Sequence, residues 1–161
     1  EELPLIQRVN TNTNAFAEGW GLYAERLAGE MGMYEGKPLE DIGRLYDELH
    51  RAVRLVVDTG MHAKGWSREE AIDYMAFTKG AAAAGSGSEV VSEIERYVAM
   101  PGQALGYMVG MLTILELREE AQNILGEDFD IRAFHDAVLT KGGMPLPMLQ
   151  ADVRAELGLT D

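Results

Sequence analysis

The stretch from Ala104 to Leu117 is apolar around nearly its whole circumference when wound as a helix, and that one segment constrains the architecture more than any other. A helix apolar on all sides must be wrapped by other elements, so the spacing predicts a central buried helix. At this length it falls short of a membrane span. Gly106 and Gly110 stand four apart on it and permit close approach by a neighbouring backbone, at a cost of about 1 kcal/mol each in helix propensity.

The rest of the chain supplies wrapping helices. Asn10 to Asn14 are polar turn-formers leading into a helix from Ala15 to about Tyr34, whose inward face carries Phe16, Trp20, Tyr23, Leu27 and Met31. Gly36 ends it, and Pro38 with Glu40 and Asp41 opens a second helix to about Asp58. There the pattern places Leu39, Ile42, Leu45, Leu49, Val53 and Val56 inward. Arg44, Asp47, Glu48, Arg51 and Arg54 fall mostly on the other side.

A loop or helix end is expected over Thr59–Trp66, then a capping box at Ser67–Glu70 and a third helix to about Lys79. The small, Gly/Ser-rich run from Ala81 to Ser88 reads as a surface loop. Ser88 caps a fourth helix to about Met100, and Pro101-Gly102 breaks it. After the central helix, Gly126 is a stop, Asp130 caps another helix to about Thr140, and Pro145-Leu146-Pro147 introduces a short last one.

No alternating apolar pattern is long enough for a sheet. The expected fold is all-α: an irregular bundle of about six or seven helices forming a single domain over residues 1–161.

Composition narrows the partners. Asp and Glu number 27 against 14 Lys and Arg, a formal charge of -13 that repels a phosphate backbone, so nucleic acid is disfavoured as a partner, and no segment calls for a membrane. The absence of cysteine removes disulfides, thiolate metal sites and cysteine nucleophiles, and leaves a cytoplasmic or an exported location equally open.

Within the first helix, Glu18 and Glu25 lie seven apart, near one stripe, next to the rings of Phe16, Trp20 and Tyr23. A glutamate beside such a cluster is paired with an arginine, bound to something else, or simply solvated; the residues alone favour a structural role.

The segment Phe16-Ala17-Glu18-Gly19-Trp20-Gly21-Leu22-Tyr23-Ala24-Glu25 resembles the Phe-x-Glu-Gly-Trp-x-x-Tyr-x-Glu signature of bacterial domain-of-unknown-function family 885. Further blocks resemble the same family: Glu48 through Trp66, Glu95-Arg96-Tyr97, Pro101 through Tyr107, Phe129 through Arg132, Phe134-His135-Asp136 and Gly143 through Leu146.

Members of that family are similar to gluzincin-type helical zinc peptidases, in which two histidines four apart on one helix and a glutamate from a later helix hold the metal, leaving a fourth position for water. The resemblance implies that Glu18 is the glutamate ligand to zinc. This chain has no His-Glu-x-x-His, since His50, His62 and His135 stand far apart. The chain is therefore expected to be the C-terminal part of a larger metallopeptidase-like fold, beginning after that motif and binding zinc only weakly alone.

Other roles follow from the same resemblance. His62 is placed to hold an oxyanion or a substrate carbonyl, or is satisfied by a backbone carbonyl. Tyr97 and Tyr107 flank the Pro101-Gly102-Gln103 break and either donate phenolic protons to a tetrahedral intermediate or belong to the core. Arg96 and Gln103 bind a peptide's carboxylate or backbone, although an Arg96 salt bridge with Glu93 or Glu95 is equally compatible. His135-Asp136 reads as a cap or orienting pair.

The functional expectation is a part of a zinc-dependent peptidase that contributes Glu18 and a share of the cleft for a peptide substrate. The alternative is a non-catalytic helical module. On either reading, uncovered apolar helix faces lead to homo-oligomers or to association with the missing N-terminal part.

Overall fold

The computed structural model describes Leu5, residues 13–80 and residues 87–159. Among the described residues there are seven α-helices and no strand. They are α1 (Asn14–Glu30), α2 (Pro38–Lys64), α3 (Arg68–Lys79), α4 (Gly87–Ala99), α5 (Gly106–Leu125), α6 (Ile131–Leu139) and α7 (Leu146–Leu157), with 3-10 turns at Gln103–Leu105 and Gly126–Asp128. The expected all-α fold is thus present. The Asn10–Asn14 lead-in and the Ala81–Ser88 loop fall largely outside the described residues.

The chain forms two compact units, Glu1–Tyr23 with Val109–Asp161 and Ala24–Met108, so the boundaries fall inside α1 and α5. In the first unit, Gly19 of α1 meets Gly110 of α5. A Cβ on Gly19 would strike the Gly110 and Met111 backbone, and one on Gly110 would strike the Ala15 carbonyl, so only glycine fits at either position. Met111, Ile114, Leu117 and Ala121 bury one side of α5. Val109 and Leu112 are exposed, which corrects the expectation of a helix buried all round.

α6 packs on α7 with Phe134, Val138, Leu149 and Val153 in the core. Asp130 caps α6 by accepting from the Arg132 amide at 2.9 Å. Arg154 of α7 grips Glu120 with two bonds of 2.8 Å. His135 orients a ring cluster: its Nε2 lies 2.8 Å from the Tyr23 hydroxyl, with the Trp20 ring edge-on.

In the second unit, α2, α3 and α4 share a core of Val53, Val57, Ala71, Met75, Val90, Ile94 and Tyr97. The Ser67–Glu70 capping box starts α3 as expected. Two boundaries differ. α1 stops at Glu30 because Gly32 turns left-handed, which leaves Met31 exposed instead of on the inward face. α2 runs past Asp58 to Lys64, so that most of Thr59–Trp66, expected as a loop or helix end, is the end of the helix, which left-handed Gly65 closes. The Thr59 hydroxyl turns back to the Leu55 carbonyl at 2.8 Å, and the Trp66 ring covers Gly60, where a Cβ would not fit.

The larger correction concerns which way α2 faces. Leu39, Ile42 and Leu45, expected inside, are 82%, 60% and 50% exposed, and Leu49 and Val56 are exposed too; of the predicted stripe only Val53 is buried. The opposite face turns inward instead, with Arg54 3% and Asp58 2% exposed. The physical reason is local cover: α3 and α4 reach only the C-terminal half of the apolar stripe, while the polar face finds hydrogen-bonding partners around Gln103.

Candidate functional site

The inward polar face of α2 organises the site. From its N-terminal end, Arg44 donates to Asp41 at 2.9 Å and to Glu48 at 3.1 Å, and Arg26 of α1 reaches the other Glu48 oxygen at 3.5 Å. Beside this network burial and the charge of Asp47 push the Glu25 carboxyl up, and Arg51 and Arg44 offset part of the rise.

One and two turns further along α2, Arg51 and Arg54 point at the chain break after α4. Arg54 Nη2 donates to the Gln103 side-chain oxygen at 2.9 Å, and Arg96 Nη1 approaches the same oxygen at 3.4 Å. The Arg54 guanidinium lies 4.9 Å from the Tyr107 ring centre and 5.4 Å from that of Tyr97; Arg51 covers Tyr107 at 4.3 Å. Asp58, one turn beyond, accepts the Gly102 amide with both oxygens at 3.2 Å and pins the left-handed glycine that starts the Gln103 turn. The Pro101-Gly102-Gln103 break is thus what delivers Gln103 and Tyr107 to the arginines.

α4 adds its own charges. Arg96 grips Glu93 at 2.7 and 3.3 Å, and the Tyr97 hydroxyl donates to the same carboxylate at 2.5 Å. Burial pushes the Glu93 carboxyl up, but the bonds from Arg96 and Tyr97 outweigh it and hold the group below its ordinary range. Burial first, then the bond to Glu93, push the Tyr97 phenol well above its ordinary range. Glu93 also lines a cleft of about 580 Å³ with His50, Met75, Lys79, Ser88 and Ser92. Burial, Lys79 and two arginines lower His50 to about 4, so its ring is neutral near pH 7.

Of the residues singled out from sequence, Tyr97, Tyr107, Arg96 and Gln103 come together around Arg54. His62 ends in the last turn of α2 instead of a loop, and its Nε2 donates to the Tyr97 carbonyl at 3.1 Å. Arg96 makes the Glu93 salt bridge, while Glu95 goes to Arg68 at 2.6 Å. Glu18 belongs to the first unit. It is half-buried, with no ion pair or hydrogen bond among the described residues. No group of three or more His, Asp or Glu side chains placed to hold a metal occurs among the described residues.

Sequence reading missed Arg51, Arg54 and Asp58 as site residues, and took Glu93 only as one of two possible partners of Arg96. Their signal was present: 51, 54 and 58 share one face of α2, but that face is polar and reads as solvated unless its burial is known.

Fold and site define an all-α protein whose inward-facing arginines stack on tyrosines at a helix break. The chain belongs to the family of bacterial proteins of unknown function DUF885, whose model matches residues 1–153. It is similar to the crystal structure of the "putative lipoprotein" from Colwellia psychrerythraea, at 52% identity and a TM-score of 0.89, over 98% of this chain and 26% of that one. The chain thus spans about a quarter of that protein's length. No curated protein matches it. No single helix among the described residues is long and apolar enough to cross a membrane.

Proposed function

We propose that this chain is the C-terminal part of a zinc-dependent peptidase, supplying Glu18 as one metal ligand and part of the cleft that holds a peptide. The observation that carries the reading is the state of Glu18: a half-buried carboxylate on the helix that carries Trp20 and Tyr23, with no internal counter-ion among the described residues. Buried carboxylates are ordinarily paired or coordinated. A single carboxylate does not make a zinc site, so the imidazoles have to come from polypeptide outside this chain. When bound, zinc would polarise a carbonyl and activate water.

In the second unit, the peptide-binding role falls to Tyr107, Arg96 and Gln103, which gather with Tyr97 around Arg54, and to His62, which is bonded to the Tyr97 carbonyl. His62 and Tyr97 are already coupled through the Tyr97 carbonyl, so an oxyanion role for His62 requires that bond to be exchanged for one to substrate.

The exposed apolar row of Leu39, Ile42, Leu45 and Leu49 favours association with a further polypeptide or a second copy. The same row favours the alternative, a helical interaction module without catalysis.

Zinc content and peptide cleavage separate these readings. The 161-residue chain alone is expected to hold far less than one equivalent of zinc. A longer polypeptide carrying it is expected to hold one equivalent and cleave peptides, with Glu18→Gln lowering both by about 100-fold. Full zinc retention and unchanged cleavage in that variant would defeat the metal-ligand assignment.

A further inference from the structure

Arg54 is the most deeply buried cation among the described residues of the second unit, at 3% exposure, and no carboxylate stands at ion-pair distance from it among the described residues. Its Nε is buried with no hydrogen-bond partner. A desolvated cation in this state is costly unless something balances it. The faces of Tyr97 and Tyr107 and the Gln103 oxygen supply part of that balance. The two nearest acids supply little more. Glu93 is committed to Arg96 and Tyr97, and both oxygens of Asp58 are turned to the Gly102 amide.

We infer that Arg54, flanked by Arg51 and Arg96, is the recognition site for a carboxylate on the ligand, and that on the peptidase reading this is the free C-terminal carboxylate of a peptide. The Arg54 guanidinium lies near two tyrosine rings, and its planar N–H fork suits the two oxygens of a carboxylate. Arg51, half-buried over Tyr107 and also without an ion pair among the described residues, presents a second fork at the same ring. Only the identification of the ligand as a peptide rests on the proposed function; the anion site stands on the burial and pairing of Arg54.

The test is a calorimetric comparison of acetyl-dialanine with its C-terminal amide, using the wild-type protein and Arg54→Met, with folding checked by circular dichroism. The free acid is expected to bind about tenfold or more tightly than the amide, and the preference to vanish in Arg54→Met. Arg54→Lys, which keeps the charge and loses the fork, is expected to retain only part of it. Should Arg54→Met not fold, Arg51→Gln takes its place and is expected to reduce the preference several-fold. Equal binding of acid and amide, no binding of either, or a preference that survives the substitutions overturns the assignment. The zinc measurement on Glu18 reads a different residue and a different ligand, so either proposal can fail while the other stands.

Discussion

The Tyr97 hydroxyl donates to Glu93 across 2.5 Å within one turn of α4, while the Tyr97 carbonyl takes a hydrogen bond from His62 at the end of α2. Tyr97 is therefore held at both ends. Its phenol is kept neutral first by burial and then by the carboxylate. In Glu93→Gln the phenol loses the second cause and keeps the first, so its ionisation is expected to move part of the way back toward the ordinary range. An ultraviolet titration of tyrosinate reads this directly, and no downward movement would show that the bond to Glu93 does not perturb the phenol. The same variant should lose about 1 kcal/mol of stability, because the half-exposed Arg96 pair is screened by solvent.

Gly19 and Gly110 face each other with no room for a Cβ on either. Gly110→Ala is expected to cost about 3 kcal/mol, since two helix backbones have to separate. At this chain size that corresponds to a Tm lower by roughly 6–12 °C. Gly21, on α1 with open space around it, is the control: Gly21→Ala should stabilise by about 0.5–1 kcal/mol. If thermal melts place both variants on the same side of wild type, the close helix approach is not what requires glycine.

His50 gives the fold an acid limb. Its folded pKa of about 4 lies below the ordinary 6.5, so the unfolded chain takes up the proton first as pH falls. The contribution is fully present above pH 6.5 and is lost progressively down to about pH 4; because the ring is only half-buried, solvent screening holds it to about 1 kcal/mol. Urea unfolding at pH 7 and pH 4.5 should show a smaller difference for His50→Gln than for wild type. Its buried Nδ1 has no hydrogen-bond partner among the described residues, so the glutamine costs little on that side. Identical pH dependence in the two proteins would mean that His50 is not neutralised by folding.

Much of the fold was legible residue by residue. Ser67 and Glu70 announced the start of α3, Asp130 the cap of α6, and Gly110 the close helix contact, because each acts through its own backbone neighbours or its own lack of a side chain. The candidate site was legible in part. The Pro101-Gly102-Gln103 break marked the place where Tyr97, Arg96, Gln103 and Tyr107 gather. Arg54, which draws that group together, went unread because nothing in a polar helical stripe distinguishes a face turned to water from one turned to tyrosines.

Sequence alone determined the all-helical class, most helix starts and stops, and the family signature around Glu18, since periodicity, capping and glycine are properties of short windows. Tertiary structure decided which way α2 faces and hence which charges are buried. That choice depends on how far α3 and α4 extend along the helix, a comparison between segments distant in the chain. An amphipathic stripe records that a helix has two faces; which of them is covered is settled by what packs against it.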